Sequence, residues 1–250
     1  MWREHTKEVY SVDWSNINKT TFCSGSWDGF IRLVRSAVLA LSLASEIPAR
    51  SQWTPDRPHS IQAIPAHESC VYQALFSPHE PDVIASCSTD GTVRIFDLRA
   101  PSHLPHPMAP ALTIQAHATE VLSFDWNKYQ SHMLATGSVD KLIRVWDCRM
   151  VKMGAATGPQ VGGTNLRELR GHEYAVRKVQ WSNYSGDILA SASYDMTCRV
   201  CVGSAHDRGG CGELMRCSNL GGTLTSSRAS RISWQSMTNT RNLWSGAPGL

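Results

Sequence analysis

The sequence has no apolar run of the roughly 18 residues that a membrane-crossing helix needs. No secretory signal is expected, because the opening Met1-Trp2-Arg3-Glu4-His5 is polar. It has no excess of one charge. Lys and Arg number 24 against 21 Asp and Glu, a net of +3, with the basic residues scattered. No nucleic-acid footprint and no direct membrane insertion are therefore expected. Paired cysteines are scarce: of eight along 250 residues, only Cys198 and Cys201 form a Cys-x-x-Cys. Spread cysteines argue against a disulfide scaffold and fit a reducing compartment. A zinc site would need a second ligand pair, and none stands at usable spacing, so neither metal nor cofactor is expected. What remains is a globular composition, 42% hydrophobic and 18% charged, with nine tryptophans.

Four segments align on a His and an Asp: His5 with Asp28, His67 with Asp90, His117 with Asp140, and His172 with Asp195. The separation is 23 in every case. Nine residues after each His stands an aromatic (Trp14, Phe76, Trp126, Trp181), and two before each Asp stands a serine (Ser26, Ser88, Ser138, Ser193). Four before it is another hydroxyl: Ser24, Ser86, Thr136, Ser191. Period-two alternation, as in Val9–Trp14 and Val121–Trp126, predicts a strand after each His. Further strands are expected before the Asp (Val83–Ser88), after it (Thr92–Phe96) and before the next His (Ser60–Ile64, Leu112–Gln115). Four strands per unit with these fixed residues resemble the WD-repeat blade of a β-propeller. The expected fold is all-β, with about four blades over residues 1–200.

A buried polar network explains the fixed residues. The Asp accepts from the His ring, the His reaches the hydroxyl, and the hydroxyl meets a Trp indole N–H. Each such group left unpaired in the interior would cost about 1–3 kcal/mol. His, Asp and Ser together also suggest a hydrolase triad, but a catalytic set occurs once and this one recurs four times. The chain is not expected to be an enzyme. Trp14, Trp126, Trp146 and Trp181 are expected in the core.

The repeat breaks in two places. In the first unit, Leu33 is followed by residues 34–52 and then Trp53. Without those 19 residues Trp53 would stand six after Asp28, where Phe96 and Trp146 stand in their units. One reading is a mobile loop within strand three. The favoured one is an in-frame retained intron, since a Val codon can begin with GT and a Gln codon can end in AG. In the fourth unit Cys201 stands where a Trp is expected, and residues 201–250, with eight Gly and eight Ser, show no clear alternation. That tail reads as disordered or out of frame. Residues 99–111, with four prolines, and the Gly-rich 149–165 read as surface loops between strands three and four.

The wording of the repeats carries a resemblance to one family. Glu8–Ser15 with Ser24-Gly25-Ser26-Trp27-Asp28, Ala66–Tyr72 with Phe76-Ser77-Pro78-His79, Val121–Tyr129 with Thr136–Asp140, and Leu169–Val179 with Ser193-Tyr194-Asp195 are similar to receptors for the type-2 peroxisomal targeting signal. The resemblance covers roughly 1–33 and 53–200. It implies a cytosolic, seven-bladed WD propeller that reaches the peroxisomal matrix. Such a receptor recognises an N-terminal cargo helix of the form Arg/Lys-Leu-x5-His/Gln-Leu and works with a co-receptor and docking proteins. Leading repeats of the family are expected to be missing, since Met1 falls just before the first His. An open set of four blades leaves uncapped edges, so a broad melt is expected.

In WD propellers, the residues three and five after the His and the one before the Asp face the binding surface. Here they are Glu8, Tyr10 and Trp27; Cys70, Tyr72 and Thr89; Glu120, Leu122 and Val139; Ala175, Arg177 and Tyr194. Carboxylates among aromatics suit an amphipathic helix with a basic side and an apolar side. For any one position a merely solvated rim is the plainer reading. Trp27 is the strongest single candidate, because Trp is enriched at binding hot spots. The alternative function is a generic WD scaffold in a nuclear or signalling complex.

Overall fold

The computed structural model describes residues 4–35, 60–99, 108–151, 161–202 and 217–219, all within the compact unit Met1–Leu220. It is built of strands. β1 (Val9–Trp14), β2 (Thr21–Ser26), β3 (Phe30–Arg35) and β4 (Gln62–Pro65) form one antiparallel sheet in that order. β5 (Val71–Phe76), β6 (Val83–Ser88), β7 (Thr92–Asp97) and β8 (Leu112–Gln115) form the second. β9 (Val121–Trp126), β10 (Met133–Ser138), β11 (Ile143–Val151) and β12 (Gly162–Leu169) form the third, and β13 (Val176–Trp181), β14 (Ile188–Ser193), β15 (Cys198–Val202) and β16 (Cys217–Asn219) the fourth. The all-β expectation of four four-stranded blades holds.

The inner strands β1, β5, β9 and β13 pack successively against one another. The core lies between neighbouring sheets rather than within one. Cys23, Ile31 and Leu33 of the first sheet meet Val71, Ala74 and Phe76 of the second. Ala85, Cys87 and Val93 then meet Val121, Phe124 and Trp126, and Ala135, Ile143 and Val145 meet Val176, Val179 and Trp181. Each blade thus buries an apolar face only by stacking on its neighbour.

Side chains on the inner strands also bond across these seams. Ser11 Oγ accepts from Ala74 N–H at 3.0 Å, Gln73 Oε1 from Phe124 N–H at 3.2 Å, and Ser123 Oγ from Val179 N–H at 3.2 Å. All three acceptors stand six after their His. Asp13 and Asp125, eight after theirs, accept from Phe76 N–H and Trp181 N–H at 2.8 Å. Burial pushes the Asp13 carboxyl above its usual range, against the pull of the Phe76 and Trp14 amides.

Several sequence expectations need correction. Trp126, Trp146 and Trp181 are buried, but Trp14 is 44% exposed. In sheets two to four this position is covered by the preceding blade, and among the described residues the first sheet has no preceding blade. Trp14 instead stacks on Phe22 at 5.4 Å and donates to Lys19 O. Val34 and Arg35, expected in a non-repeat insertion, complete β3: Val34 pairs with Phe22, the register in which Phe96 pairs with Ile84 and Trp146 with Leu134. The rest of 34–52 lies outside the described residues. Cys201 and Val202, expected in a structureless tail, end β15, and Cys217–Asn219 pair with it as β16. Residues 203–216 and 220–250 lie outside the described set. The expected loop 149–165 is partly strand, since β11 runs to Val151 and β12 starts at Gly162. Cys23, Cys70, Cys87, Cys148 and Cys198 are free thiols, whereas Cys201 is disulfide-bonded.

Candidate functional site

The His–Asp network forms in all four blades. His5, His67, His117 and His172 join through Nδ1 to Asp28, Asp90, Asp140 and Asp195 at 2.9, 2.9, 2.7 and 2.7 Å. Since a carboxylate only accepts, Nδ1–H donates. Nε2 then faces Ser24, Ser86, Thr136 and Ser191 at 2.8, 2.8, 2.8 and 2.9 Å. Burial pushes His67 and His117 below the usual imidazole range, despite their carboxylate partners. Asp90 titrates low, at about 2: burial opposes this, but the bonds from His67 and Thr92 outweigh it. Among the described residues, the expected last link, hydroxyl to indole, exists only in the third blade, where Trp146 Nε1–H donates to Thr136 Oγ1 at 3.0 Å. The matching positions are Val34, Phe96 and Cys201, none of which has an indole N–H. The network is scaffold, and it sets the loops that carry the rim.

The rim is built by a repeated backbone link. Trp27 N–H donates to Glu8 O, Thr89 N–H to Cys70 O, Val139 N–H to Glu120 O and Tyr194 N–H to Ala175 O, at 3.0 to 3.1 Å. Each link ties the residue three after the His to the one before the Asp. Between them, every inner strand carries a register irregularity. The pairing skips Tyr10, Tyr72, Leu122 and Arg177, the residues five after each His. A bulge of this kind frees a side chain from the pleat and re-aims it. Sequence spacing singled out these positions, but not the bulge that turns them.

The bulged side chains converge. Tyr10 stacks on Trp27, with centroids 5.5 Å apart and planes at 20°. Tyr72 meets Tyr10 edge-on at 5.5 Å and Trp27 at 6.3 Å. Tyr72 OH donates to Glu120 Oε2 at 3.0 Å. Burial, and then the Glu120 carboxylate, push that hydroxyl up to about 12, so it stays a neutral donor. From the fourth blade, Arg177 donates to Tyr10 OH at 2.8 Å, its Cζ 5.0 Å from the ring centroid. Trp27 Nε1 is buried without a hydrogen-bond partner among the described residues. A cavity of about 300 Å³ opens beside the cluster, with Leu122, Gln73, Leu75 and Lys178 in its wall.

The expected positions therefore divide. Tyr10, Trp27, Tyr72, Glu120 and Arg177 come together. Thr89, Val139 and Tyr194 stand on the same rim without joining the cluster, and Glu8 joins it only through its carbonyl bond to Trp27. Lys178, Gln73 and Leu75 were missed, because inward residues of an inner strand carry no fixed type from blade to blade. Among the described residues no group of three His, Cys, Asp or Glu is placed to hold a metal ion. Among them, too, no helix is long and apolar enough to cross a membrane.

The repeat description "WD domain, G-beta repeat" matches residues 1–34, 58–97, 108–147 and 163–201, the four blades in turn. The chain belongs to the WD-repeat family. Within the family it is similar to the peroxisomal targeting signal 2 receptor of Saccharomyces cerevisiae, 36% identical over 218 residues, covering 80% of this chain and 56% of that protein. The Schizosaccharomyces pombe protein of the same name is 26% identical over 200 residues, covering 80% and 53%. Histone acetyltransferase type B subunit 2 of Gibberella zeae is 29% identical over 143 residues, covering 54% and 30%. The chain spans about half the length of the first two relatives.

Proposed function

We propose that this WD-repeat chain is a cargo receptor, not an enzyme, and that its rim binds the N-terminal type-2 peroxisomal signal helix. The observation that carries this reading is the cluster of Tyr10, Trp27 and Tyr72 beside the Glu120 carboxylate at the mouth of the blades. Aromatic faces take the leucines of an amphipathic helix, and carboxylates with ring faces take its arginine. Glu8, Thr89, Val139, Arg177 and Tyr194 complete the helix-binding rim in this proposal. The names of the two yeast relatives support the choice of ligand. Delivery to the peroxisomal matrix, shuttling from the cytosol, and work with a co-receptor and docking proteins belong to the same proposal.

A titration of labelled signal helix into the purified chain tests it, with an Arg-to-Glu helix as control. Selective binding at micromolar strength or tighter, about −8 kcal/mol, is expected. A folded chain that binds neither helix, or both alike, would refute the receptor reading. It would favour a generic WD scaffold, the reading supported by the histone acetyltransferase subunit.

A further inference from the structure

Arg177 is the only charged residue among the four bulge positions, and it does not point idly into solvent. Its guanidinium crosses the mouth from the fourth blade to the first, 5.0 Å from the Tyr10 ring centroid, with a hydrogen bond to the Tyr10 hydroxyl. Among the described residues no carboxylate pairs with it. The nearby Glu120 is engaged by Tyr72 instead. The aromatic seat does not depend on Arg177, because Trp27 stacks on Tyr10 and Tyr72 buttresses it edge-on. The free protein thus holds a preformed cation site that is occupied by its own cation through one cation–π contact and one exposed hydrogen bond.

We infer that Arg177 is a resident competitor: it holds the Tyr10 seat in the free protein and is displaced when the arginine of a bound helix takes that seat. The inference rests on the receptor reading above. Binding is then an exchange of one guanidinium for another on the same ring. The apparent dissociation constant is raised by the reciprocal of the fraction of time that the seat is free. An exposed cation–π contact with one neutral hydrogen bond keeps a seat filled most, not all, of the time. Removing Arg177 should therefore tighten binding of the arginine helix by about three- to tenfold. The gain is confined to ligands that use the seat.

The test is a four-way titration: wild-type chain and Arg177→Gln, each with the signal helix and with the same helix carrying citrulline for arginine. Citrulline keeps the shape and loses the charge. The expected result is three- to tenfold tighter binding of the arginine helix by Arg177→Gln, with the citrulline helix changed less than twofold. A melting midpoint of Arg177→Gln matching wild type confirms that the variant is folded. Arginine-helix binding by wild type that Arg177→Gln leaves unchanged or weakens overturns the exchange and leaves the receptor reading standing. No helix binding by either folded protein overturns both. A second readout is the Arg177 Nε–Hε resonance in ¹⁵N spectra. It should carry a Tyr10 ring-current shift in the free protein and move to a solvent-like position at saturation; a resonance that stays put overturns the displacement.

Discussion

Thr136→Val isolates the one blade in which the polar chain is complete. Thr136 Oγ1 is fully buried, accepts from Trp146 Nε1–H at 3.0 Å and meets His117 Nε2 at 2.8 Å. Valine keeps the volume and deletes the oxygen, so two buried groups lose a partner at once. At about 1–3 kcal/mol for each buried group left unsatisfied, the loss should be about 2–6 kcal/mol. The matching change in the second blade, Ser86→Ala, strands only His67 Nε2, because Phe96 has no N–H to lose. It should cost about 1–3 kcal/mol. Urea unfolding read by circular dichroism measures both. In a thermal melt of a chain this long, the Thr136→Val loss corresponds to roughly 5–15 °C. The decisive step is a cycle with Trp146→Phe, which removes the indole donor. In that background Thr136→Val should cost about 1 kcal/mol less than in wild type. An equal cost in both backgrounds, or a loss below about 1 kcal/mol in wild type, would refute the account of the network as a chain of mutually dependent bonds.

Acid should weaken the fold in two stages. His67 and His117 have folded pKa values below the usual imidazole range, so the unfolded chain binds the extra protons and stability falls once pH drops below about 6.5. Asp90, depressed to about 2, adds stability that is present above its unfolded value near 4 and lost between about pH 4 and 2. Urea midpoints that stay flat or rise from pH 7 to 3 would contradict this. Gly137→Ala should cost about 1–3 kcal/mol, because a Cβ there would stand 2.8 Å from Val176 Cγ1 and 3.0 Å from Val179 Cγ1. An unchanged melting midpoint would mean that the third and fourth blades pack less closely than described. Trp27→Ala should weaken signal-helix binding about tenfold or more, while Trp14→Ala leaves it within about twofold. Both residues offer aromatic surface, but only Trp27 belongs to the rim cluster, and equal losses would move the binding surface to the side of the first blade.

The scaffold was legible because one physical demand recurs at one spacing. A buried His needs an acceptor and a hydroxyl, and the chain supplies both 23 and 19 residues on in every unit. The seams were not legible, because different groups do the same work there. Ser11, Gln73 and Ser123 all accept from the neighbouring blade, and no residue-type pattern marks them as equivalent. Trp14 shows the complementary limit. It shares its repeat position and residue type with Trp126 and Trp181, yet it is 44% exposed where they are nearly buried. Burial at that position is a property of the neighbouring blade, which the local sequence does not encode. Val34 shows a third limit. An aromatic was expected six after Asp28, but the strand needs only an apolar side chain in that register, and valine fills it at 7% exposure.

The bulge is what joins scaffold to site. In an uninterrupted strand, the residue five after the His would alternate with its neighbours and point along a seam. One skipped residue per inner strand breaks that alternation at the same point in every blade. The His–Asp network and the backbone link across the rim hold each bulge in place without using its side chain. The side chain is therefore free to differ, and it does: tyrosine, tyrosine, leucine and arginine. Because the four are aimed at a common mouth, each one's role is set by the other three rather than by its own blade. Arg177 acquires a ring to sit on only because Tyr10 stands at the matching bulge 167 residues earlier. A repeat that fixes the frame and leaves one aimed position open is thus enough to turn four near-identical blades into a single asymmetric surface, with aromatic faces, a carboxylate and one exchangeable cation.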